Sequence, residues 1–184
     1  TLSIHDNKLY LVVDGPTWEE AEANSINVGG HLASITSEIE NKIIVDLMSK
    51  NNVFNSAFIG FKTASGWLSG EAELFNNFHP DIKNDRATIF EHYPYAEIWA
   101  PSAENLKEEW QTNILAGVWN VALNNQNERN QSGIAEIPFI RRGDSAYVVV
   151  EGPTWAAAEA NAIKLGGHLA TINDSAENQW LSST

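Results

Sequence analysis

Residues 75–110 combine aromatic side chains with carboxylates and amides, a mixture that can bind a polyol. Apolar ring faces together with a few convergent polar groups are typical of ligand pockets. Any single ring in such a stretch is nevertheless more often part of a core than of a binding surface. The aromatic residues are Phe75, Phe78, Phe90, Tyr93, Tyr95, Trp99 and Trp110. The stretch therefore predicts a ligand surface built from a minority of these side chains.

The remaining composition excludes several classes of protein. The sequence has no cysteine, so it has no disulfide, no thiolate metal site and no cysteine nucleophile. A net charge of −13 argues against nucleic acid as a partner, because affinity for phosphates depends on Lys and Arg. The sequence has no nucleophile elbow, phosphate loop or zinc-protease helix. No apolar run is long enough to span a bilayer. We therefore expect a protein that is not an enzyme and has no membrane span.

A long internal repeat organises the chain. Residues 10–43 return as residues 147–180, with 20 of the 34 aligned positions identical. The offset of 137 residues implies one unit of about that length and the start of another. We expect a complete domain at 1–140, a short linker at 141–145, and the truncated start of a second repeat at 146–184. The apolar face of that second repeat is expected to dock on the first domain, to pair with another chain, or to be loosely ordered.

Strand and helix signals indicate the α+β class. A β-branched strand at 9–13 ends at Gly-Pro, and Thr17 caps a helix that stops at Gly29-Gly30. Ser37 caps a second helix. After residue 50 the helical period gives way to short strands separated by long polar loops. The predicted strands lie at 57–61, 95–99, 117–121 and 134–140. Two early helices followed by short strands are typical of α+β proteins.

The ordered motifs resemble the C-type lectin-like domain, in the cysteine-free form found in bacterial and marine tandem arrays. The matching segments, in the family's order, are Gly-Pro-Thr-Trp at 15–18, Gly-Gly-His-Leu-Ala at 29–33, Phe-Ile-Gly-Phe at 58–61, Trp-Asn at 119–120 and Gly-Ile-Ala-Glu-Ile-Pro at 133–138. The resemblance covers residues 9–140. It implies two helices and short antiparallel strands with long loops, closed by pairing of the first and last strands.

The resemblance also implies where a calcium and sugar site would lie. In sugar-binding members, calcium is held by a Glu-Pro-Asn loop, a following acid and the Asn-Asp of a Trp-Asn-Asp segment. Calcium takes six to eight oxygen ligands, so losing carboxylates weakens binding. Here Asn120 is present, but Val121 stands where the aspartate would be. The usual calcium site is therefore degraded.

Two alignments of the ligand loop remain open. One matches residues 99–105 to the family's loop, which places Ala103 at the glutamate, keeps Asn105 and offers Glu108 as the later acid. The other matches residues 78–84, with 95–98 as the strand before Trp-Asn, and places Ile82 and Lys83 at the key positions. Two ligands are lost under either alignment.

The resemblance therefore implies a non-catalytic extracellular binding or adhesion module, with carbohydrate as the ligand class. The alternative is a structural or protein-interaction spacer of a tandem-repeat surface protein that binds no sugar. A glycan or cell-surface partner, secretion or display at the cell surface, and self-association through the second repeat are implied as well. The expected ligand-binding residues are Trp99, Glu104, Asn105, Glu108, Trp110 and Asn120. Calcium, if bound, is expected on Asn105, Glu108 and Asn120.

Overall fold

The first and last strands of the first repeat pair with each other, as the resemblance implies. The computed structural model describes residues 1–101, 115–124 and 132–183. Strands β1 (Leu2–His5) and β2 (Lys8–Asp14) form a hairpin whose turn residues, Asp6 and Asn7, have φ angles of 44° and 59°. Strand β2 then pairs antiparallel, over its whole length, with a strand at Ser132–Pro138. The predicted closure is confirmed.

Two capped helices follow β2, at the positions that the sequence predicts. Helix α1 (Trp18–Asn27) begins where the Thr17 hydroxyl accepts a hydrogen bond from the Glu20 N–H at 3.1 Å. Helix α2 (Glu38–Lys50) begins in the same way at Ser37. Each cap satisfies a backbone donor that the helix itself leaves unpaired. Between the helices lies the short strand β3 (His31–Leu32).

The remaining strands of the first repeat extend the sheet from its closing strand. They are β4 (Ser56–Lys62), β5 (Gly66–Trp67), β6 (Tyr95–Trp99), β7 (Trp119–Ala122) and β8 (Ser132–Pro138). Within the described ranges the order is β1-β2-β8-β4-β6-β7, with β3 on β8 and β5 on β4. All pairs are antiparallel except β4 with β8, which run parallel. The four predicted strands at 57–61, 95–99, 117–121 and 134–140 are thus recovered to within two or three residues at each end.

Two short helices occupy a region where the sequence predicts only loops. Helix α3 (Pro80–Asn84) has its proline in the first turn, and helix α4 (Arg86–His92) follows almost directly. The loop prediction was wrong here because helices of five and seven residues are too short to show a hydrophobic period. Their apolar side chains pack against the sheet instead of forming a stripe of their own.

An aromatic core lies under these two helices. The Phe61 ring makes edge contacts with Trp67 and Phe78 at centroid distances of 5.0 and 5.3 Å, and Phe78 does the same with Trp119 at 5.3 Å. Edge-to-face geometry is favoured because the ring edge is positive and the face negative. On the opposite face of the sheet, Trp18 stacks on Tyr95 at 4.5 Å.

The second repeat copies the opening of the first. Its elements are β9 (Ile140–Arg142), β10 (Ser145–Tyr147), α5 (Trp155–Lys164) and α6 (Ser175–Ser183). The hairpin β9–β10 has the register of β1–β2 shifted by 137 residues, with Tyr147 opposite Ile140 as Tyr10 is opposite Ser3. The residues expected to be a linker, 141–145, therefore form the turn and inner ends of this hairpin. Strand β9 begins two residues after β8 ends.

The same local hydrogen bonds form in both copies, because the residues that make them are repeated. Asn24 Nδ2 donates to Asp14 O, as Asn161 Nδ2 does to Glu151 O, both at 2.8 Å. The Leu32 N–H donates to Glu22 Oε2 at 2.8 Å, and the Leu169 N–H to Glu159 Oε2 at 2.9 Å. The Tyr10 hydroxyl donates to Glu40 Oε1 at 3.1 Å, and the Tyr147 hydroxyl to Glu177 Oε1 at 3.2 Å. The first two pairs span ten residues and the third spans 30, and all of them lie within the repeated segment.

Burial differs sharply between the copies. Trp18 is 2% exposed and donates its indole N–H to the Ile59 carbonyl at 2.9 Å, whereas the equivalent Trp155 is 73% exposed. The second copy docks on the first domain at its strand, where Val148 packs with the cluster that contains Leu9, and the Glu151 N–H donates to the Asn27 carbonyl at 3.1 Å. Residues 148–151 therefore contact the first domain, and pairing with another chain stays a prediction.

A partly buried ion pair joins the strands that close the first repeat. The Lys8 ammonium lies 2.9 Å from Glu136 and 3.7 Å from Glu40. Burial raises the pKa of the Glu136 carboxyl, and the neighbouring Glu40 and Glu71 charges add to the shift, despite the hydrogen bond from Lys8. Burial also opposes ionisation of Glu40, but hydrogen bonds from Thr36 outweigh it and lower the Glu40 pKa.

Gly30→Ala should destabilise the chain, while Gly167→Ala at the same repeat position should not. A Cβ on Gly30 would collide with the Glu136 carbonyl of β8, whereas the nearest atom to a Cβ on Gly167 is the Ala162 carbonyl at 3.9 Å. Neither glycine has a positive φ angle, so neither substitution strains the backbone. The difference in stability loss between the two variants therefore measures the effect of contact with β8. We expect a loss of about 1–3 kcal/mol for Gly30→Ala in urea unfolding and no change within about 0.5 kcal/mol for Gly167→Ala. Equal losses would contradict the described closure.

Glu136→Gln should gain stability relative to the wild type as the pH rises. The pKa of Glu136 is raised on folding, so its favourable contribution is present below its ordinary pKa of 4.5 and is lost as the pH rises through the folded-state value. Glutamine keeps the shape without the charge. Urea unfolding between about pH 4 and about pH 8 should show the difference growing in favour of Glu136→Gln. Glu38→Gln, at an exposed position, should show no such trend.

Candidate functional site

Strands β6 and β7 bring polar and aromatic side chains together on one face of the sheet. Side chains alternate along a strand, and Ala96 and Ile98 point into the aromatic core. Glu97 and Trp99 therefore lie on the other face. Asn120 of β7 is directly opposite Glu97, so its side chain shares that face. The sheet thus places two expected ligand-binding residues, Trp99 and Asn120, on one surface.

Glu97 is the buried centre of this surface. It is 4% exposed, and its two carboxylate oxygens accept hydrogen bonds from the Ser56 hydroxyl at 2.9 Å and the Asn120 amide at 3.1 Å. A buried carboxylate is tolerated only when it is well hydrogen-bonded, and these bonds fix the side chains around it. The bond to Asn120 orients its amide group, so the amide oxygen is directed away from Glu97.

Trp99 forms the border of the surface. Its ring is half-buried and lies 5.7 Å from the His79 ring, just before helix α3. The backbone N–H of Trp99 donates to the Val118 carbonyl at 3.0 Å, and its carbonyl accepts from the Gly117 N–H at 2.9 Å. The chain therefore leaves β6 and enters β7 at the same end of the sheet, next to the Trp99 ring.

Most of the other aromatic residues in the 75–99 stretch belong to the core. Phe78 is 2% exposed, and Phe75 and Phe90 pack against Phe78 and Trp119. The Arg86 guanidinium covers the Phe90 ring at 4.6 Å and forms a bidentate pair with Glu73. Phe78 is thus enclosed, and Phe75 and Phe90 are partly buried against the core. Tyr93, at 38% exposed, is the exception beside the half-buried Trp99.

The family's calcium ligands do not fit the described part of this surface. Val121, at the aspartate position, is 6% exposed and offers no oxygen, so of this pair only the Asn120 amide oxygen is present, while its amide nitrogen donates to Glu97. Within the described ranges no group of three His, Cys, Asp or Glu side chains could hold a metal ion. Four expected residues, Glu104, Asn105, Glu108 and Trp110, lie outside the described residues, so their part in a site stays a prediction.

The strand pairing bears on the choice between the two loop alignments. Tyr95–Trp99 pairs with Trp119–Ala122, which is the arrangement that the second alignment assumes. That alignment puts Ile82 and Lys83 at calcium-ligand positions. Ile82 is 4% exposed, and the Lys83 ammonium donates to the Asn76 carbonyl at 3.1 Å. Neither side chain can contribute a carboxylate, so the second alignment places no calcium ligand there.

Sequence reasoning did not select Ser56, Glu97 or His79 as site residues. Ser56 opens a strand and Glu97 sits inside an otherwise apolar one, so neither belongs to a motif. A charged residue between two buried apolar ones, as in Ala96-Glu97-Ile98, is the signal that was available. It marks a carboxylate that needs partners, but the partners come from β4 and β7 and are invisible in the local sequence.

No family model and no curated relative matches this sequence. Solved structures do match. The cow carbohydrate-recognition domain of CD23, solved in the presence of an oligosaccharide, has a TM-score of 0.53 at 18% identity over 73% of this chain and 91% of its own. Human lithostathine gives 0.57 at 13% identity, over 74% and 96%. A calcium-independent type II antifreeze protein gives 0.54 at 22% identity, over 74% and 91%.

The matched 73–74% of the chain corresponds in length to the first repeat. The overall fold is thus shared with proteins of 13–22% identity. At such identities the comparison shows the fold and leaves the ligand open. The chain has the C-type lectin-like fold.

Proposed function

We propose that this chain is a non-catalytic extracellular binding module with carbohydrate as its ligand class. The observation that carries the proposal is the half-buried Trp99 ring next to the Ser56–Glu97–Asn120 group on one sheet face. We call this set of four residues the β6–β7 surface. Residues 1–140 form the binding module in this proposal, and residues 146–184 begin a second repeat.

The chemistry of the β6–β7 surface suits a sugar. A pyranose presents C–H groups on its faces, which pack on an indole ring, and hydroxyl groups at its edge, which need oriented polar partners. Trp99 supplies the ring, and the Asn120 amide supplies a polar partner whose direction Glu97 fixes. Preorganised groups cost less to order when a ligand binds. Glu104, Asn105, Glu108 and Trp110 are proposed to complete the site from the segment between β6 and β7.

Calcium through the usual family set is not part of this mechanism. Val121 offers no oxygen where the family has an aspartate, so one of the oxygen ligands that the family uses is missing there. A site on Asn105, Glu108 and Asn120 in another geometry stays a prediction. One of the neighbouring structures is named as calcium-independent, which is consistent with this proposal.

A structural spacer is the second candidate function, and the junction between the repeats favours it. Strand β9 follows β8 with one residue between them, and the Glu151–Asn27 hydrogen bond and Val148 fasten the second copy to the first. Because only one residue separates the two strands, the first repeat restricts the orientation of the second. Such a protein would contact other proteins and bind no sugar.

The setting proposed for either function is a secreted or cell-surface repeat protein with a glycan or cell-surface partner. A net charge of −13 speaks against nucleic acid as that partner. Among the described helices none is both long and apolar enough to cross a bilayer.

Trp99→Ala should weaken glycan binding at least about tenfold, or about 1.4 kcal/mol, because it removes the ring face. Trp155→Ala is the matched control, since Trp155 is an exposed indole on another element. A glycan array run with and without chelator would identify the ligand, and calorimetry would give the dissociation constants. Unchanged melting temperatures would show that both variants fold. If the wild type binds no glycan under either condition, carbohydrate is wrong and the spacer is favoured.

Calcium added to the chelated protein should leave its melting temperature unchanged. A ligand present at a hundredfold its dissociation constant adds about 2.7 kcal/mol to stability, which a thermal melt resolves easily. Differential scanning fluorimetry up to millimolar calcium is the measurement. A clear upward shift would show that a metal site survives despite Val121, and Glu108→Gln would then test the predicted ligand.

A further inference from the structure

The segment before helix α3 runs along the outer side of β7 and adds a residue to the face of the β6–β7 surface. The Trp119 N–H donates to the Asn77 carbonyl, and the His79 N–H donates to the Trp119 carbonyl, both at 2.9 Å. Phe78 forms a parallel bridge with Trp119, and both of these side chains lie in the aromatic core. Side chains alternate along an extended chain. His79 therefore lies on the opposite face, which is the face of Asn120.

The Trp99 ring reaches across β7 towards His79. Strand β6 pairs with β7, and the segment that contains His79 lies beyond β7, so two chain spacings separate the backbones of these residues. Their ring centroids are nevertheless 5.7 Å apart, with an angle of 57° between the ring planes. The Trp99 ring is half-buried and the His79 side chain is 17% exposed. A ligand on the exposed part of the indole thus has the imidazole beside it.

The start of helix α3 fixes the backbone and one ring nitrogen of His79. This residue is the N-cap, and its Nδ1 atom accepts a hydrogen bond from the Asp81 N–H at 3.3 Å. Pro80, which lies between them, has no N–H, so the Asp81 N–H is the first donor of the helix. The His79 carbonyl accepts from the N–H groups of Ile82 and Lys83 at 3.0 and 3.1 Å. The imidazole is therefore oriented before a ligand arrives.

The cap also decides which nitrogen of the neutral ring carries the proton. A ring nitrogen that accepts a hydrogen bond has no proton of its own, so the proton lies on Nε2. The Asp81 carboxylate is next to Nδ1 as well, at 3.5 Å. Among the residues that the structure describes, both polar contacts of the ring are thus on Nδ1. The Nε2–H is left as a donor beside the Trp99 ring.

We propose that His79 is a further ligand-binding residue, and that its Nε2–H donates to an oxygen atom of a sugar packed on Trp99. The inference rests on the proposed carbohydrate function. Trp99 contacts the apolar face of the sugar, and Asn120 and His79 contact its polar edge from β7 and from the segment beyond it. A few oriented polar groups around an aromatic ring are typical of small-molecule sites. Because the cap holds the imidazole, little side-chain freedom is lost when the sugar binds.

Two substitutions separate the roles of the two ring nitrogens. In His79→Asn, the amide oxygen stands at the position of Nδ1 and accepts from the Asp81 N–H, but no donor reaches the position of Nε2. In His79→Gln, the amide nitrogen stands at the position of Nε2 and can donate, but the cap acceptor is lost. The correspondence holds because these atoms are the same number of bonds from the backbone. A role in capping alone and a role in binding therefore predict opposite results.

The probe is the synthetic glycan that the wild type binds most tightly on the array, titrated by calorimetry at about pH 8, where histidine is neutral. His79→Asn should bind it about three- to tenfold more weakly at an unchanged melting temperature, because one hydrogen bond is lost while a favoured cap residue is kept. His79→Gln should bind it more tightly than His79→Asn. The matched control is His92→Asn, at an exposed histidine of α4, which should leave the affinity unchanged.

The tautomer is tested without any glycan. A long-range proton–nitrogen NMR spectrum of the free chain at about pH 8 should place the His79 proton on Nε2. A proton on Nδ1 would overturn the proposal.

The proposal is also overturned if His79→Asn binds as tightly as the wild type, or if His79→Gln binds no better than His79→Asn. In either case the loss of binding in Trp99→Ala would still support the carbohydrate function. A wild type that binds no glycan would overturn both.

Discussion

Pairing of β2 with β8 is the constraint on which the rest of the structure depends. Strand β8 contacts β2, β3 and β4, so it joins the N-terminal half of the fold to the strands that carry the β6–β7 surface. A Cβ on Gly30 would collide with the Glu136 backbone carbonyl, and a Cβ on Gly133 would collide with the Leu32 and Ala21 side chains. The Lys8–Glu136 ion pair spans the same two strands. A strand that closes a fold in this way must be specified by packing, because pairing distant segments carries a loop-closure cost.

The β6–β7 surface follows from that arrangement. Once β4 is fixed on β8, the antiparallel addition of β6 and β7 puts Glu97 beside Ser56 on one side and Asn120 on the other. Three residues far apart in sequence become one hydrogen-bonded group, with Trp99 two positions along the same face. A buried carboxylate here stiffens the surface because each of its bonds removes a rotamer choice from a neighbour. Rigid sheets that present side chains at one end are a common way to build ligand sites.

Comparison of the two copies separates local from tertiary effects within a single chain. Thr17 and Thr154 cap their helices alike, and Glu22 and Glu159 accept the same backbone donor. These contacts span at most ten residues, so sequence repetition carries them over. The indole of Trp18 is buried because β4 lies across it, and Trp155 is exposed because no described strand takes that place. Similar local sequence thus gives the same helix in a different environment.

The sequence by itself determined the class of the fold, the two capped helices, the four strands and the repeat, because caps, Gly-Pro stops and periodicity act over a few residues. Its motifs were also enough to identify the C-type lectin-like fold. Only the tertiary structure decided that 80–92 is helical, that Phe78 and Phe90 are core while Trp99 borders a surface, and that Glu97 is the centre of a polar group. The physical reason is that burial and cross-strand partners depend on which distant segments pair, and no local pattern encodes that pairing.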